Sequence, residues 1–300
     1  MADKTSLNGF INVNKDSGAT SHDVIGALRR VLRFRKIGHS GTLDPRATGV
    51  LPVCLGKATR LAEYIVQCRK KYRAVIVFGV ETDSYDADGV IISEKACPEL
   101  SKKQVISALG QFAGEIEQVP PMFSALKRNG QPLHQLARQG IEVERPARRV
   151  TIYETEIIDY IAGDYPLLTV DISCSKGTYI RSLAHDLGSV LNVGASLNAL
   201  TRVQSGAFTL ENAFTLDEIA AMVAVGDYGF LLPMDYGISH LPQVEVDEAS
   251  LNRVQCGNSV PVDSAECEVC RVVSAGGELL GMGRVESGLL IMDKVFAGNN

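Results

Sequence analysis

No stretch of the 300-residue chain approaches 18 uncharged apolar residues, so nothing in it reads as a helix that crosses a bilayer. The first ten residues, MADKTSLNGF, have neither the basic start nor the apolar core of a secretory signal, and no export is expected. Metal-ligand spacing is also missing. The five histidines, His22, His39, His134, His185 and His240, stand far apart, and Cys267-Glu-Val-Cys270 has no second Cys-x-x-Cys or His pair nearby to complete four zinc ligands. Seven scattered cysteines form an odd set in a chain large enough to fold without staples, which favours reduced thiols and a cytoplasmic location. There is no internal repeat and no low-complexity tract.

What is present has the profile of a soluble globular protein, with 45% hydrophobic and 22% charged residues. The length predicts one large domain and a small one. The formal charge of −5 conceals a division: residues 1–210 hold 26 Lys/Arg against 21 Asp/Glu, and residues 211–300 hold 4 against 14. Within the basic part, residues 21–73 carry 12 basic and 3 acidic side chains, and residues 127–149 carry 6 and 2. Such stretches can neutralise phosphates, although a charge run taken alone is equally a solvated face.

Hydrophobic periodicity predicts a strand at Gly9–Asn14, then a helix capped by Ser21 with Val24, Ile25, Leu28, Val31 and Leu32 on one side. A twelve-residue loop, Gly38–Gly49, holds three glycines and a proline, and loops of this length in compact domains tend to carry function. Lys71–Val80 reads as a central strand, with Gly89–Ser93 returning beside it. A helix opens at Ser101, a short one spans Leu133–Gln139, strands follow at Val150–Ile158 and Leu167–Cys174, and a helix at Ile180–Leu191. Leu216–Val225 reads as a helical linker, with a domain boundary near 240 and short, glycine-broken β segments after it. The fold class expected is α+β.

The loop, read whole as Gly38-His39-Ser40-Gly41-Thr42-Leu43-Asp44-Pro45-Arg46-Ala47-Thr48-Gly49-Val50-Leu51, closely resembles the catalytic signature of the tRNA pseudouridine synthase B (TruB) family. Further segments match in family order: Lys15-x-x-Gly18-x-Thr20-Ser21; Tyr72 through Gly79 to Thr82-Asp83-Ser84-x-Asp86-x-x-Gly89; Gln118–Lys127; and Ser173–Leu183. The resemblance covers most of residues 9–210. It implies a catalytic domain on a mixed, mainly antiparallel sheet over residues 1–240, with an RNA-clamping insertion at about 121–150. A small β-barrel-like PUA-type domain over 241–300 would follow. The acidity of that last part sets it apart from strong phosphate binding.

Converting uridine to pseudouridine breaks N1–C1′, turns the uracil and rejoins it through C5, with no external atom added. The reaction needs an ionised carboxylate, a base-shaped pocket and a group to move the C5 proton. Alone, an Asp before a Pro is a turn former; within the motif, Asp44 resembles the family's catalytic aspartate. By the same resemblance Arg181 pairs with it, and Tyr72 stacks on the flipped uracil and is a candidate for handling the C5 proton. Tyr179, Leu200 and Lys15 match positions that line or brace the pocket, and His39 matches an RNA-contacting histidine. The spacing of Asp83, Asp86 and Asp88 faintly suggests a calcium loop, but Cys97 stands where its bidentate Glu belongs.

The implied activity is isomerisation of uridine 55 in the T loop of tRNA by a monomer. No metal, no cofactor and no obligatory protein partner are expected. Two other readings are a tRNA-folding chaperone and a guide-RNA-dependent dyskerin-type subunit. A glycosidase would need two carboxylates about 5–9 Å apart, and Asp44 has no partner that the motifs supply.

Overall fold

The computed structural model describes residues 7–296 except 125, 126, 129 and 142. Strand β1 (Gly9–Lys15) is followed by a turn and α1 (Ser21–Leu32). The cap of α1 is Thr20 rather than Ser21: its hydroxyl accepts the Asp23 N–H, and the Asp23 carboxylate accepts the Thr20 N–H at 2.8 Å. Val24, Ile25, Leu28 and Leu32 are buried along one side of the helix, as their spacing predicts. Strands β2 (Ile37–His39) and β3 (Thr48–Leu55) bracket the glycine-rich loop, and α2 (Ala62–Gln67) leads into β4 (Lys70–Phe78).

Next come β5 (Val80–Thr82), β6 (Ile91–Glu94), α3 (Lys102–Leu109), β7 (Gly114–Gln118), the short β8 (Lys127–Arg128) and β9 (Gln131–Pro132), and α4 (Leu133–Arg138). The basic segment Lys127–Arg149 lies partly outside the described residues. After it run β10 (Arg148–Ile161), β11 (Leu167–Cys174), α5 (Ile180–Val190), β12 (Ala195–Ser205), β13 (Phe208–Thr209), α6 (Leu216–Ala224) and β14 (Leu231–Leu232).

One ten-stranded sheet organises this part in the order β14-β1-β3-β12-β4-β11-β10-β7, with β13 on β12 and β2 on β3. Its pairings are antiparallel except β3 with β12, where Thr201 faces Thr48 and Arg202 faces Gly49. Gly49 is obligatory there. At φ +94° a side chain would be strained, and a Cβ would stand 2.3 Å from the Arg202 carbonyl oxygen.

The segment expected to return beside β4 does not. Strand β6 pairs only with β5 in a separate ribbon, and β4 lies between β12 and β11. Ile91 and Ile92 remain more than half exposed, so that apolar run has no core to join. A β-branched segment shows that a strand forms, not which strand it meets.

Helices α3 and α5 pack over β4, β11 and β12 around Ile76, Leu168, Val170 and Leu183, and α1 and α6 pack over β1 and β3 around Val13, Leu28, Val53 and Ile219. α6 is therefore part of a core rather than a linker. Tyr72 and Leu200 touch both cores, which places them at the seam of the domain.

The chain ends in a second sheet ordered β15-β17-β18-β19-β16, built from Gln243–Val246, Cys267–Ser274, Leu279–Glu286, Leu289–Val295 and Val260–Pro261 respectively. A helix that periodicity did not reveal, α7 (Glu248–Gln255), is capped by Asp247 accepting the Ser250 N–H. Met282 and Phe296 bury against Phe10 and Cys54 of the large sheet and Leu61 and Ile65 of the helical segment that follows β3, and the Arg60 guanidinium lies 5.2 Å from the Phe296 ring centre. The two sheets share a core at this junction.

Candidate active site

The loop between β2 and β3 carries Asp44 and is held from behind by the turn after β1. Lys15 is 1% exposed, and its ammonium donates to the carbonyls of Asp16, Ala19 and Pro45 at 2.9, 2.7 and 2.9 Å. Gly18 N–H donates to the Pro45 carbonyl at 2.9 Å, and Leu43 N–H donates to the Ser21 hydroxyl at the same distance. Both neighbours of Asp44 are thus anchored through their backbones. Burial pushes the Lys15 ammonium below its usual range, and the Asp16 and Asp44 carboxylates oppose that shift. Lys15 braces the loop and is not among the residues that line the cleft.

Arg181 emerges from the first turn of α5 and is only 5% exposed. Its guanidinium contacts the Asp44 carboxylate at 3.1 Å and the Asp86 carboxylate at 3.2 Å, and donates to the Phe123 carbonyl at 2.9 Å. The start of α5 is fixed by the segment after β7. The Gln118 amide accepts the Tyr179 N–H at 2.8 Å and donates to the Tyr179 carbonyl at 2.9 Å, while the Ser182 hydroxyl donates to the Val119 carbonyl.

The carboxylate side of this network was not legible beforehand. Asp44 does have a carboxylate neighbour, Asp86, on the same guanidinium. Asp86 also accepts the Ser84 hydroxyl at 2.6 Å and the Asp88 N–H at 3.0 Å, which anchors it in place. Of the other carboxylates in that turn, Asp83 accepts the Val90 N–H and Asp88 pairs with Arg46 at 2.5 Å. The turn brackets Arg181 and the Gly38–Gly49 loop. Among the described residues no group of three or more His, Cys, Asp or Glu side chains converges to hold a metal.

Asp44 keeps about half its side-chain surface, 49%, open to the cleft, yet the protein mass around it raises its carboxyl above the usual range. Arg181 and Lys15 oppose that rise, and Asp86 and Asp88 add to it. The cleft in front of Asp44 has a volume of about 250 Å³. Tyr72, Tyr179, Arg181 and Leu200 line it with Asp44, so five of the seven residues singled out from the sequence converge there. Burial raises the Tyr72 phenol above its ordinary range. His39 lies apart in β2, its ring edge-on to His22 at 5.6 Å between centres, and burial pushes its imidazole toward the neutral form.

Arg202 is the residue that sequence reasoning missed. It is 1% exposed, lines the cleft, donates to the Val50 carbonyl at 2.7 Å and the Gly41 carbonyl at 3.2 Å, and faces Tyr72 in the β12–β4 register. It therefore pins the glycine-rich loop near its start and just past its end. The signal was available, since Arg202 is the sole charged residue between Asp186 and Glu211. A solitary guanidinium in so uncharged a stretch needs a structural or chemical reason to be there.

A buried guanidinium clamping a carboxylate at the mouth of a cleft, on a sheet of this order, defines a class of enzyme that stabilises charge at a base-sized site. The family model for the TruB family pseudouridylate synthase N-terminal domain matches residues 29–180, and that for the tRNA pseudouridylate synthase B C-terminal domain matches 181–239. The chain is 45% identical to the tRNA pseudouridine synthase B of Moorella thermoacetica, covering 93% of this chain and 94% of that protein. It is 48% identical to that of Symbiobacterium thermophilum, covering 84% and 83%. Among solved structures, a chain of an H/ACA RNP bound to a substrate RNA containing 2′-deoxyuridine superposes with a TM-score of 0.74 at 25% identity, covering 97% of this chain and 86% of that one. A chain of a Cbf5-Nop10-Gar1 complex does so with 0.74 at 28%, covering 97% and 85%. The chain belongs to the TruB family of pseudouridine synthases, which are isomerases.

Proposed function

We propose that the chain converts uridine 55 of the tRNA T loop to pseudouridine, with Asp44 as the nucleophile on a flipped-out uridine. The observation that carries this is the 3.1 Å Asp44–Arg181 pair opening into a cleft walled by Tyr72 and Leu200. The relatives' shared name, tRNA pseudouridine synthase B, supports tRNA as the substrate.

The chemistry follows from the groups. The Asp44 carboxylate attacks or stabilises the centre exposed when N1–C1′ breaks. The detached uracil turns and bonds through C5 to C1′, which releases any bond to Asp44 and restores its carboxylate; the C5 proton leaves and N1 gains one. Arg181 keeps Asp44 ionised against the loss of water when a base fills the cleft. Tyr72 presents an aromatic face to the base, and its phenol oxygen is the candidate for handling the C5 proton, taking it up as the phenol's own proton passes on to water. Lys15 and Arg202 hold the loop, Tyr179 and Leu200 shape the pocket, and His39 meets the RNA beside it.

Arg29–Lys36, Arg69–Arg73 and Lys127–Arg149 take the T-arm phosphates, the last as part of a clamp over residues 121–150. Residues 1–240 form the catalytic unit and 241–300 a PUA-type RNA-binding unit. The protein acts as a monomer in the cytoplasm without a metal or cofactor, so turnover persists in EDTA.

Tritium release from C5-labelled uridine in an isolated T-arm hairpin tests this, comparing wild type with Asp44→Asn. Release by the wild type alone, with both proteins binding the hairpin, is expected. The likeness to chains of H/ACA particles favours one competing reading, a guide-dependent enzyme. Binding without release by the wild type would select that reading or a folding chaperone.

A further inference from the structure

Tyr85 is a bulky aromatic at φ +65°, a left-handed conformation that glycine and asparagine adopt far more readily. Its N–H donates to the Thr82 carbonyl at 3.2 Å, and its carbonyl accepts the Leu197 N–H of β12 at 3.0 Å. Its ring stacks on the His185 imidazole with centres 4.0 Å apart and planes 11° from parallel. The His185 Nδ1 is buried without a hydrogen-bond partner, so it is the face of the ring, not this nitrogen, that makes a specific contact.

The positions of the four residues matter. Tyr85 and Asp86 are consecutive, and in extended chain their side chains would point to opposite sides. His185 and Arg181 are one helical turn apart on α5 and share a face. The left-handed turn at Tyr85 brings both neighbours onto that face, so Tyr85 meets His185 while Asp86 meets Arg181 at 3.2 Å. Strain at one residue is retained where the surrounding structure uses it.

We propose that Tyr85 and His185 are positioning residues for the reaction. Their stack sets the spacing between the 82–89 turn and α5, which holds Asp86 on Arg181 and so aims the guanidinium at Asp44. The inference rests on the reading of Asp44 and Arg181 as the reacting pair.

The test is the single-turnover rate of pseudouridine formation on the T-arm hairpin, with hairpin affinity and melting temperature, for wild type, Tyr85→Phe, Tyr85→Gly, His185→Ala and Asp44→Asn. Tyr85→Phe keeps the ring and should stay within about twofold of wild type, whereas Tyr85→Gly and His185→Ala should each slow the step by about tenfold or more with affinity unchanged. A variant combining Tyr85→Gly with His185→Ala should be no slower than the slower single one, because both remove the same contact. Tyr85→Gly also relieves the backbone, so its melting temperature should hold or rise while its rate falls. Should it fail to fold, His185→Ala carries the test. Full rate in either ring-deleting variant, or slowing that Tyr85→Phe shares, would overturn the proposal. Turnover by Asp44→Asn would instead overturn the underlying reading.

Discussion

The turn at residues 15–21 and the turn at residues 82–89 both press on the loop that carries Asp44, and they do it with different bonds. From the first, Lys15, Gly18 and Ser21 reach the backbone of Leu43 and Pro45. From the second come charges: Asp88 holds Arg46, and Asp86 shares Arg181 with Asp44. Backbone anchoring decides where the carboxylate stands, and the charges decide what it costs to ionise it there. The first wall should govern stability and the second should govern rate.

Arg181→Lys separates the two most strongly. One guanidinium serves Asp44, Asp86 and the Phe123 carbonyl at once, and an ammonium cannot reproduce that planar fork. We expect the single-turnover rate to fall by about 100-fold or more, with hairpin affinity retained. A rate near wild type would mean that the charged wall is only structural.

Lys15→Met attacks the other wall. The Asp16 and Ala19 carbonyls lose this donor and the Pro45 carbonyl is left with the Gly18 N–H alone, so urea titration should show a stability loss of about 1–2 kcal/mol at unchanged m-value. A midpoint equal to wild type would refute the bracing role.

The raised carboxyl of Asp44 gives a pH signature. Its folded-state pKa lies above its unfolded value, so the fold binds that proton more tightly. The stabilising contribution is complete below the unfolded pKa and is lost as pH rises through the folded one. On the proposed mechanism activity needs the carboxylate and should fall on the acid side with a midpoint above the ordinary value of about 3.9. Asp44→Asn should melt at or above the wild-type temperature at pH 7, with the gap closing toward acid pH. An acid limb at or below the ordinary carboxylate value would contradict the raised pKa.

Arg46→Ala is the mildest change. The Arg46–Asp88 pair is 58% and 48% exposed, so its loss should cost under about 1 kcal/mol and the difference should vanish in 1 M salt. A larger, salt-insensitive loss would show that the charged wall also carries stability.

Much of the site was legible in the chain because its residues fall in contiguous motifs. Asp44 and Lys15 sit in short strings whose spacing survives folding, and α1 announced itself through helical periodicity, although its cap is Thr20 and not the expected Ser21. Asp86 was visible only as one carboxylate among three in a turn. Nothing local distinguishes it until α5 brings Arg181 across 95 positions of sequence. The role of Lys15 was half visible, since only the fold shows that all its hydrogen bonds go to backbone. The pairing of β6 with β5 rather than β4 was not readable at all, because strand partners depend on which neighbours bury both faces.

The sequence by itself determined most of the elements and the family motifs, the Gly38–Gly49 loop among them, since periodicity and motif spacing act over a few residues. Tertiary structure alone decided how those groups are charged and aimed. Desolvation of Asp44, the sharing of Arg181 between two carboxylates and the burial of Arg202 depend on what surrounds each group in space. Those surroundings come from segments more than half of the chain apart, such as Gly41 and Arg202, 161 positions from each other, which the large sheet brings into contact.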